Sequence, residues 1–178
     1  MLEKYSVSDR DAWVWDLAQL EDVADIVAMA QGHFQGEIDG FFIPDPRLFA
    51  KNVASAIIKQ MYSYYMEQLL VARNRTDNRL MAYCWLSRGA YTTYAREEMA
   101  EARFAHVDMT LPARQRLTLV AQMLQQWSTW CQICGIPVLV STSIRENQAS
   151  FMRLHEEAGF TLRGSVAYLK CVARGEDA

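Results

Sequence analysis

Apolar and polar positions recur along this chain with two periods, and each change of period marks a change of element. Ala12-Trp13-Val14-Trp15 is short, aromatic and β-prone, which predicts an opening strand. Leu17, Leu20, Val23, Ala24, Val27 and Ala30 follow at helical spacing, with Asp16 as candidate N-cap and Gln19 three positions on. A first helix is expected over residues 17–30. Residues 31–44 hold three glycines and a proline among aromatics and read as a long loop of the kind that lines sites. Asp45-Pro46 then restarts a helix, because proline suits a first helical position whose N–H would lack a partner anyway. Phe49, Val53, Ile57 and Met61 carry it to about Tyr64. Residues 69–73 and 80–87 read as strands joined by the polar turn 74–79, an antiparallel hairpin.

A polar connection over 88–101 leads to a strand at 103–110, which alternates Phe104 with His106 and Val107 with Asp108. The clearest helical stripe is Leu117, Val120, Ala121, Leu124, Trp127, Cys131 and Cys134, closed by Gly135 at a left-handed cap position. An apolar strand at 136–142, a helix at 147–158 ended by Gly159, and a hairpin of 160–163 with 166–172 around Gly164 complete the pattern. The order β-α-α-β-β-β-α-β-α-β-β is an α/β chain with a mixed sheet.

The length of 178 residues fits one domain, 1–178, and 51% apolar with 22% charged residues supports a full core without staples. A net charge of -3 argues against a broad grip on a phosphate backbone, so no nucleic-acid partner is expected despite the many aromatics. No apolar run reaches the ~18 residues a membrane span needs, and the polar start lacks a signal core. The expectation is a cytoplasmic protein with no membrane partner and with Cys84, Cys131, Cys134 and Cys171 as reduced thiols. Cys131 and Cys134 spell C-x-x-C but have no second ligand pair nearby, so they read as packing residues, and no metal is expected. No nucleophile elbow and no phosphate-binding P-loop occurs. Phe41-Phe42-Ile43-Pro44 would mark a partner surface if exposed, and a homo-oligomer or assembly partner is left open.

The element order, with Ser141-Thr-Ser-Ile-Arg-Glu-Asn147-Gln-Ala-Ser-Phe-Met-Arg-Leu-His155-Glu-Glu-Ala-Gly159-Phe160, resembles the GCN5-related N-acetyltransferase superfamily. Leu154-His155-Glu-Glu-Ala-Gly159-Phe160 looks like its penultimate-helix motif, usually Leu-Tyr-x-x-x-Gly-Phe. The resemblance implies a mostly antiparallel sheet splayed between strands four and five, with acyl-CoA in the gap. The fourth-strand backbone would pair with pantetheine, here beside Met109 and Leu111. Amides opening the next helix would hold the pyrophosphate, because they lack intrahelical partners and face the positive end of the dipole. That turn maps to Arg114, Gln115, Arg116, Leu117, Thr118 and Leu119, with Asn147 also in the site. The chain departs from the family's Arg/Gln-x-x-Gly-x-Gly/Ala: Leu117 and Leu119 replace both small residues. This crowds the backbone cradle while Arg114, Arg116 and the Thr118 hydroxyl keep polar contacts to offer.

Acetyl transfer to an amine needs a base for the ammonium and an acid for the departing thiolate. The resemblance puts His155 at the family's tyrosine acid. His106 and Asp108, two apart on one strand, are the candidate bases; the alternative is a hydrogen-bonded edge pair. His33 in the glycine-rich segment could touch substrate, although a lone loop histidine is usually incidental. The implied activity is direct transfer of acetyl from acetyl-CoA to a primary amine on a small molecule or protein. The alternative keeps the fold without the chemistry, as a binding or assembly protein similar to acetyltransferase-like components of tailed phages.

Overall fold

In the computed structural model, residues 12–38, 41–143 and 149–164 are described. Strand β1 (Trp13–Leu17) leads through a 3-10 turn (Leu20–Asp22) into α1 (Val23–Ile38) and α2 (Pro46–Tyr62). Strands β2 (Glu67–Asn74), β3 (Leu80–Tyr91) and β4 (Glu98–Val107) form an antiparallel meander. Helix α3 (Ala113–Cys134) crosses back to β5 (Val138–Ser141), and α4 (Ala149–Glu157) follows. Among the described residues the sheet runs β1-β2-β3-β4-β5, and only the β4–β5 pair is parallel.

Helices cover both faces, which explains why the central strands read as continuous apolar runs. Leu69, Val71, Tyr83 and Trp85 point into a core shared with α1 and α2. Their neighbours Leu70, Ala72, Ala82, Cys84 and Leu86 point the other way, into a core built on Leu119, Leu124 and Trp127 of α3 and Leu154 of α4. Trp13 and Trp15 tie β1 to α3 through indole N–H bonds to Gln122 Oε1, at 2.8 and 2.7 Å.

Several boundaries differ from the sequence reading. Asp16 lies inside β1, and the helical turn begins at Gln19, whose backbone N–H donates to Asp22 Oδ2 at 2.7 Å. Residues 31–38 are helix, not loop. Glycine in a helix costs about 1 kcal/mol, but burial of His33 and Phe34 carries α1 past Gly32 and Gly36. Phe42 and Ile43, after α1, are exposed. The expected connection 88–101 belongs largely to longer strands β3 and β4. Asp45 does cap α2, accepting from the Arg47 and Leu48 amides, and Gly135 closes α3 at φ 67°. Phe160 to Arg163 run without ladder pairing among the described residues, while Asn147, Cys171 and the closing hairpin at 166–172 lie outside them. No described helix is long and apolar enough to cross a membrane.

One irregularity positions the site. Trp85 pairs with Phe104 but Leu86 pairs with Ala102, so Arg103 is an extra residue in β4. Such a bulge bends its strand. β5 pairs with β4 only from Met99↔Val138 to Ala102↔Ser141, and β4 continues to Val107 without it. The two strands therefore part at the bulge.

Candidate functional site

The fork between β4 and β5 opens into a cavity of about 590 Å³. Its walls are β4 from Ala102 to Val107, Ser141 to Ser143 after the fork, Arg116 and Leu117 of α3, and Phe151 of α4. Glu37 of α1 reaches it from the opposite side of the sheet. The cavity is thus touched by residues of α1 from one layer and of α3 and α4 from the other.

On the α1 side stands a buried polar cluster. His106 is 1% exposed and stacks on His33, ring centroids 4.2 Å apart and planes within 10°. Its Nδ1 lies 2.6 Å from the Tyr83 hydroxyl, and its Nε2 lies 3.0 and 3.1 Å from the two Glu37 oxygens. In the neutral ring, Nε2–H donates to the carboxylate and Nδ1 accepts from the hydroxyl. His33 donates from Nε2 to the Val107 carbonyl at 2.7 Å. Ligand atoms of His33, Glu37 and His106 come within 4.8 Å of one another. The two rings lie in near-parallel planes, and both nitrogens of His106 and Nε2 of His33 already hold hydrogen-bond partners. The arrangement is a hydrogen-bonded cluster with Glu37 at the cavity wall. Sequence reasoning missed Glu37; its i, i+4 spacing from His33 on a continued helix was the available signal.

Asp108 does not join this cluster. It follows the end of β4, lines a separate cavity with Arg73 and Arg79, and forms an ion pair with Arg79. Burial pushes its carboxyl up, but the Thr110 hydroxyl and amide, with Arg79, outweigh burial and hold it below the usual aspartate value. A carboxylate so committed is a poor proton acceptor, and the expected same-side pairing with His106 is corrected accordingly.

At the other end, α3 starts at Pro112, which supplies no side-chain cap, and its first turn contains no acidic residue. That leaves a positive helix end facing the β4–α3 turn. Arg116 lines the cavity, its Nε buried with no partner among the described residues, and its Nη1 is 3.6 Å from Met109 Sδ. Leu117 lines the wall, but Leu119 is fully buried in the core, so only one of the two leucines can crowd a ligand. Thr118 turns its hydroxyl back onto the Arg114 carbonyl at 3.0 Å, away from any ligand. Arg114 and Gln115 are not among the lining residues. Leu111 is packed in the core and Met109 lies past the strand end, so the stretch of β4 that runs on without β5 is 103–107, earlier in the chain than Met109 and Leu111.

His155 is 1% exposed and sits behind the wall, between the rings of Phe151 and Phe160 at 4.4 and 4.9 Å. Burial lowers its pKa, so the ring is neutral at pH 7. Nδ1 lies 2.9 Å from the Phe151 carbonyl, which can only accept; Nδ1 therefore carries the proton. Nε2 is then the acceptor for the Ser141 hydroxyl at 2.9 Å. In this arrangement Nε2 carries no proton, so the acid role that the resemblance gives His155 requires Nε2 to be protonated first.

No known family model matches the chain, and no curated protein does either. Solved structures do. A predicted acetyltransferase from Clostridium acetobutylicum, with acetyl-CoA, superposes with a TM-score of 0.66 at 11% identity, over 89% of this chain and 96% of that one. An aminoglycoside 6'-N-acetyltransferase from Acinetobacter baumannii gives 0.63 at 18% identity, over 91% and 99%. A glucosamine-6-phosphate N-acetyltransferase from Arabidopsis thaliana gives 0.59 at 10%, over 90% and 99%. At these identities the likeness is one of fold, and the fold is that of the GCN5-related N-acetyltransferases.

Proposed function

We propose that this chain, which has the GCN5-related N-acetyltransferase fold, moves an acetyl group from acetyl-CoA to a primary amine through the gap between β4 and β5. The observation that carries the reading is the fork at the Arg103 bulge: it leaves 103–107 of β4 unpaired by β5 beside a cavity touched by α1 from one layer and by α3 and α4 from the other. Arg116, with a buried Nε lacking an acceptor among the described residues, and the start of α3 without a side-chain cap are the groups for the phosphates. The acetyl-CoA present with the similarly folded Clostridium acetobutylicum protein supports the choice of donor.

The amine enters from the α1 side. Glu37 accepts a proton from the ammonium, and its bonds to His106, itself tied to Tyr83, hold the carboxylate in place. The freed amine then attacks the acetyl carbonyl carbon; the C–N bond forms as the C–S bond breaks, and the surplus amine proton passes to the departing CoA sulfur.

Thermal unfolding with and without acetyl-CoA tests the reading. Ligand at a hundred times its dissociation constant should add about 2.7 kcal/mol of stability, read as a clear rise in Tm. An unchanged Tm at millimolar acetyl-CoA overturns the proposal and favours a binding protein whose Leu117 has closed the phosphate end of the cavity.

A further inference from the structure

The chain has five tryptophans, and four of them bond their indole N–H to an oxygen. Trp13 and Trp15 share Gln122 Oε1, Trp85 donates to Glu67 Oε2 at 2.6 Å, and Trp130 donates to the Tyr64 carbonyl at 3.1 Å. Trp127 is the exception. It is 1% exposed, and its buried Nε1 makes no full hydrogen bond among the described residues. The Cys84 thiol is a near neighbour, but a thiol sulfur is a weak acceptor. A buried donor left in this state costs stability, so it calls for an explanation. Trp127 also lines the cavity at the fork, together with Ala102 and Ser141, the last residues that β4 and β5 pair. Arg116 Nε is a second orphan donor in the same wall. Both stand on α3, and eleven residues make close to three turns, which puts them on one face of the helix, about 16 Å apart along its axis. The arm of acetyl-CoA has about thirteen bonds from phosphorus to sulfur, and an extended chain gains about 3.5 Å for every three, or about 15 Å in all. The two orphan donors are spaced like the two ends of that arm.

We infer that the Trp127 indole N–H is a catalytic hydrogen-bond donor to the thioester carbonyl oxygen of acetyl-CoA. The inference rests on the acyl-CoA reading above and keeps its direct attack by the amine. As the C–N bond forms, the carbonyl π electrons move onto oxygen, and Nε1–H donates to that oxygen while it carries the negative charge. The electrons return to carbon as the C–S bond breaks, and the surplus amine proton passes to the departing sulfur. Amide and CoA thiol are the products. A donor fixed by core packing needs no reorganisation when the charge develops, and burial keeps water from competing for it. The two orphan donors of α3 then serve one ligand, Arg116 at its phosphates and Trp127 at its reacting carbonyl.

The competing account makes Trp127 a packing residue whose N–H is simply left short of an acceptor. Spectra of the full chain with acetyl-CoA and no amine separate the two accounts, so the acceptor need not be known. In nitrogen–proton NMR, the Trp127 indole N–H resonance should move downfield when acetyl-CoA is added and should move less with CoA, which lacks the carbonyl. In the infrared, the stretch of a carbon-13-labelled acetyl carbonyl should drop in frequency on binding to the wild type. Trp127→Phe, which keeps an aromatic ring and loses the N–H, should reverse most of that drop. The same variant should bind acetyl-CoA about 2- to 10-fold more weakly for the lost hydrogen bond, and bind CoA as the wild type does, which also reports that it is folded. Should it not fold, the wild-type indole resonance decides alone. The inference is overturned if acetyl-CoA raises the wild-type Tm yet moves the indole resonance no more than CoA does, or if the carbonyl stretch is the same in the wild type and in Trp127→Phe. If acetyl-CoA leaves the Tm unchanged, the function proposed above has failed and this inference falls with it.

Discussion

His155 shows how one buried residue writes itself into the pH dependence of the whole chain. Its folded pKa lies below the ordinary value of 6.5 because burial penalises the charged ring, while the unfolded chain keeps the ordinary value. Between the two, the unfolded state binds a proton that the folded state refuses. This component of stability is fully present above pH 6.5 and is lost as pH falls below it toward the folded value. His155→Phe, a ring placed among the rings of Phe151 and Phe160, abolishes the component. Melting curves from about pH 7.5 down to about pH 5 should therefore fall more steeply for the wild type than for the variant; parallel curves would show the ring is not held neutral. Arg116 makes a different prediction at the same scale. A buried guanidinium Nε with no acceptor among the described residues is stabilised by a ligand oxygen, and a hydrogen bond to a charged group is worth about 1.5–3 kcal/mol. Calorimetric titration with acetyl-CoA should show Arg116→Ala binding about 10- to 100-fold more weakly.

At the scale of elements, α3 separates two residues that the sequence presents as equivalents. Leu117 and Leu119 both stand where the family pattern has a small residue, yet Leu117 faces the cavity and Leu119 is 0% exposed in the core. Leu117→Gly should tighten acetyl-CoA binding, since it opens the wall where phosphates approach the backbone. Leu119→Gly should instead lose about 2–5 kcal/mol for the missing side chain, and about 1 kcal/mol more for helical glycine, measured by denaturant unfolding. Equal effects of the two changes would contradict the placement. The helical stripe of α3 and its Gly135 cap were legible because period and cap residue agree locally. So was the hairpin of β2 and β3, with polar residues between two apolar runs. The continuation of α1 through Gly32 and Gly36 was not, since it depends on burying His33 and Phe34 against residues distant in sequence. Nor was the Arg103 bulge, which has no residue signature and exists only as a register against β3. The candidate site shared that fate: His106, Arg116 and Leu117 could be picked out as residue types on a resemblance, but Glu37 acquires meaning only through a partner 69 positions away.

At the scale of the whole molecule, cohesion should be readable from one thiol. Cys84 sits on β3, the middle one of the five described strands, buried against α3, and burial pushes its pKa up to about 12. At neutral pH it is almost wholly protonated, and the thiolate is the reactive form. A reagent can reach it only when β3 loses its pairing with β2 and β4 and the core above it opens, which is close to global unfolding. Cys131, also buried and raised to about 11, and the partly exposed Cys134 lie at the end of α3 and can be uncovered by fraying there. A variant with Cys84 as its sole cysteine isolates the global event. Acetyl-CoA that binds through the intact fork stabilises only the closed state, so at a hundred times its dissociation constant it should slow labelling of Cys84 about 100-fold. Labelling that is fast without ligand and insensitive to it would mean the sheet opens at β3 independently of the fork, and the two cores would then be separate units of stability.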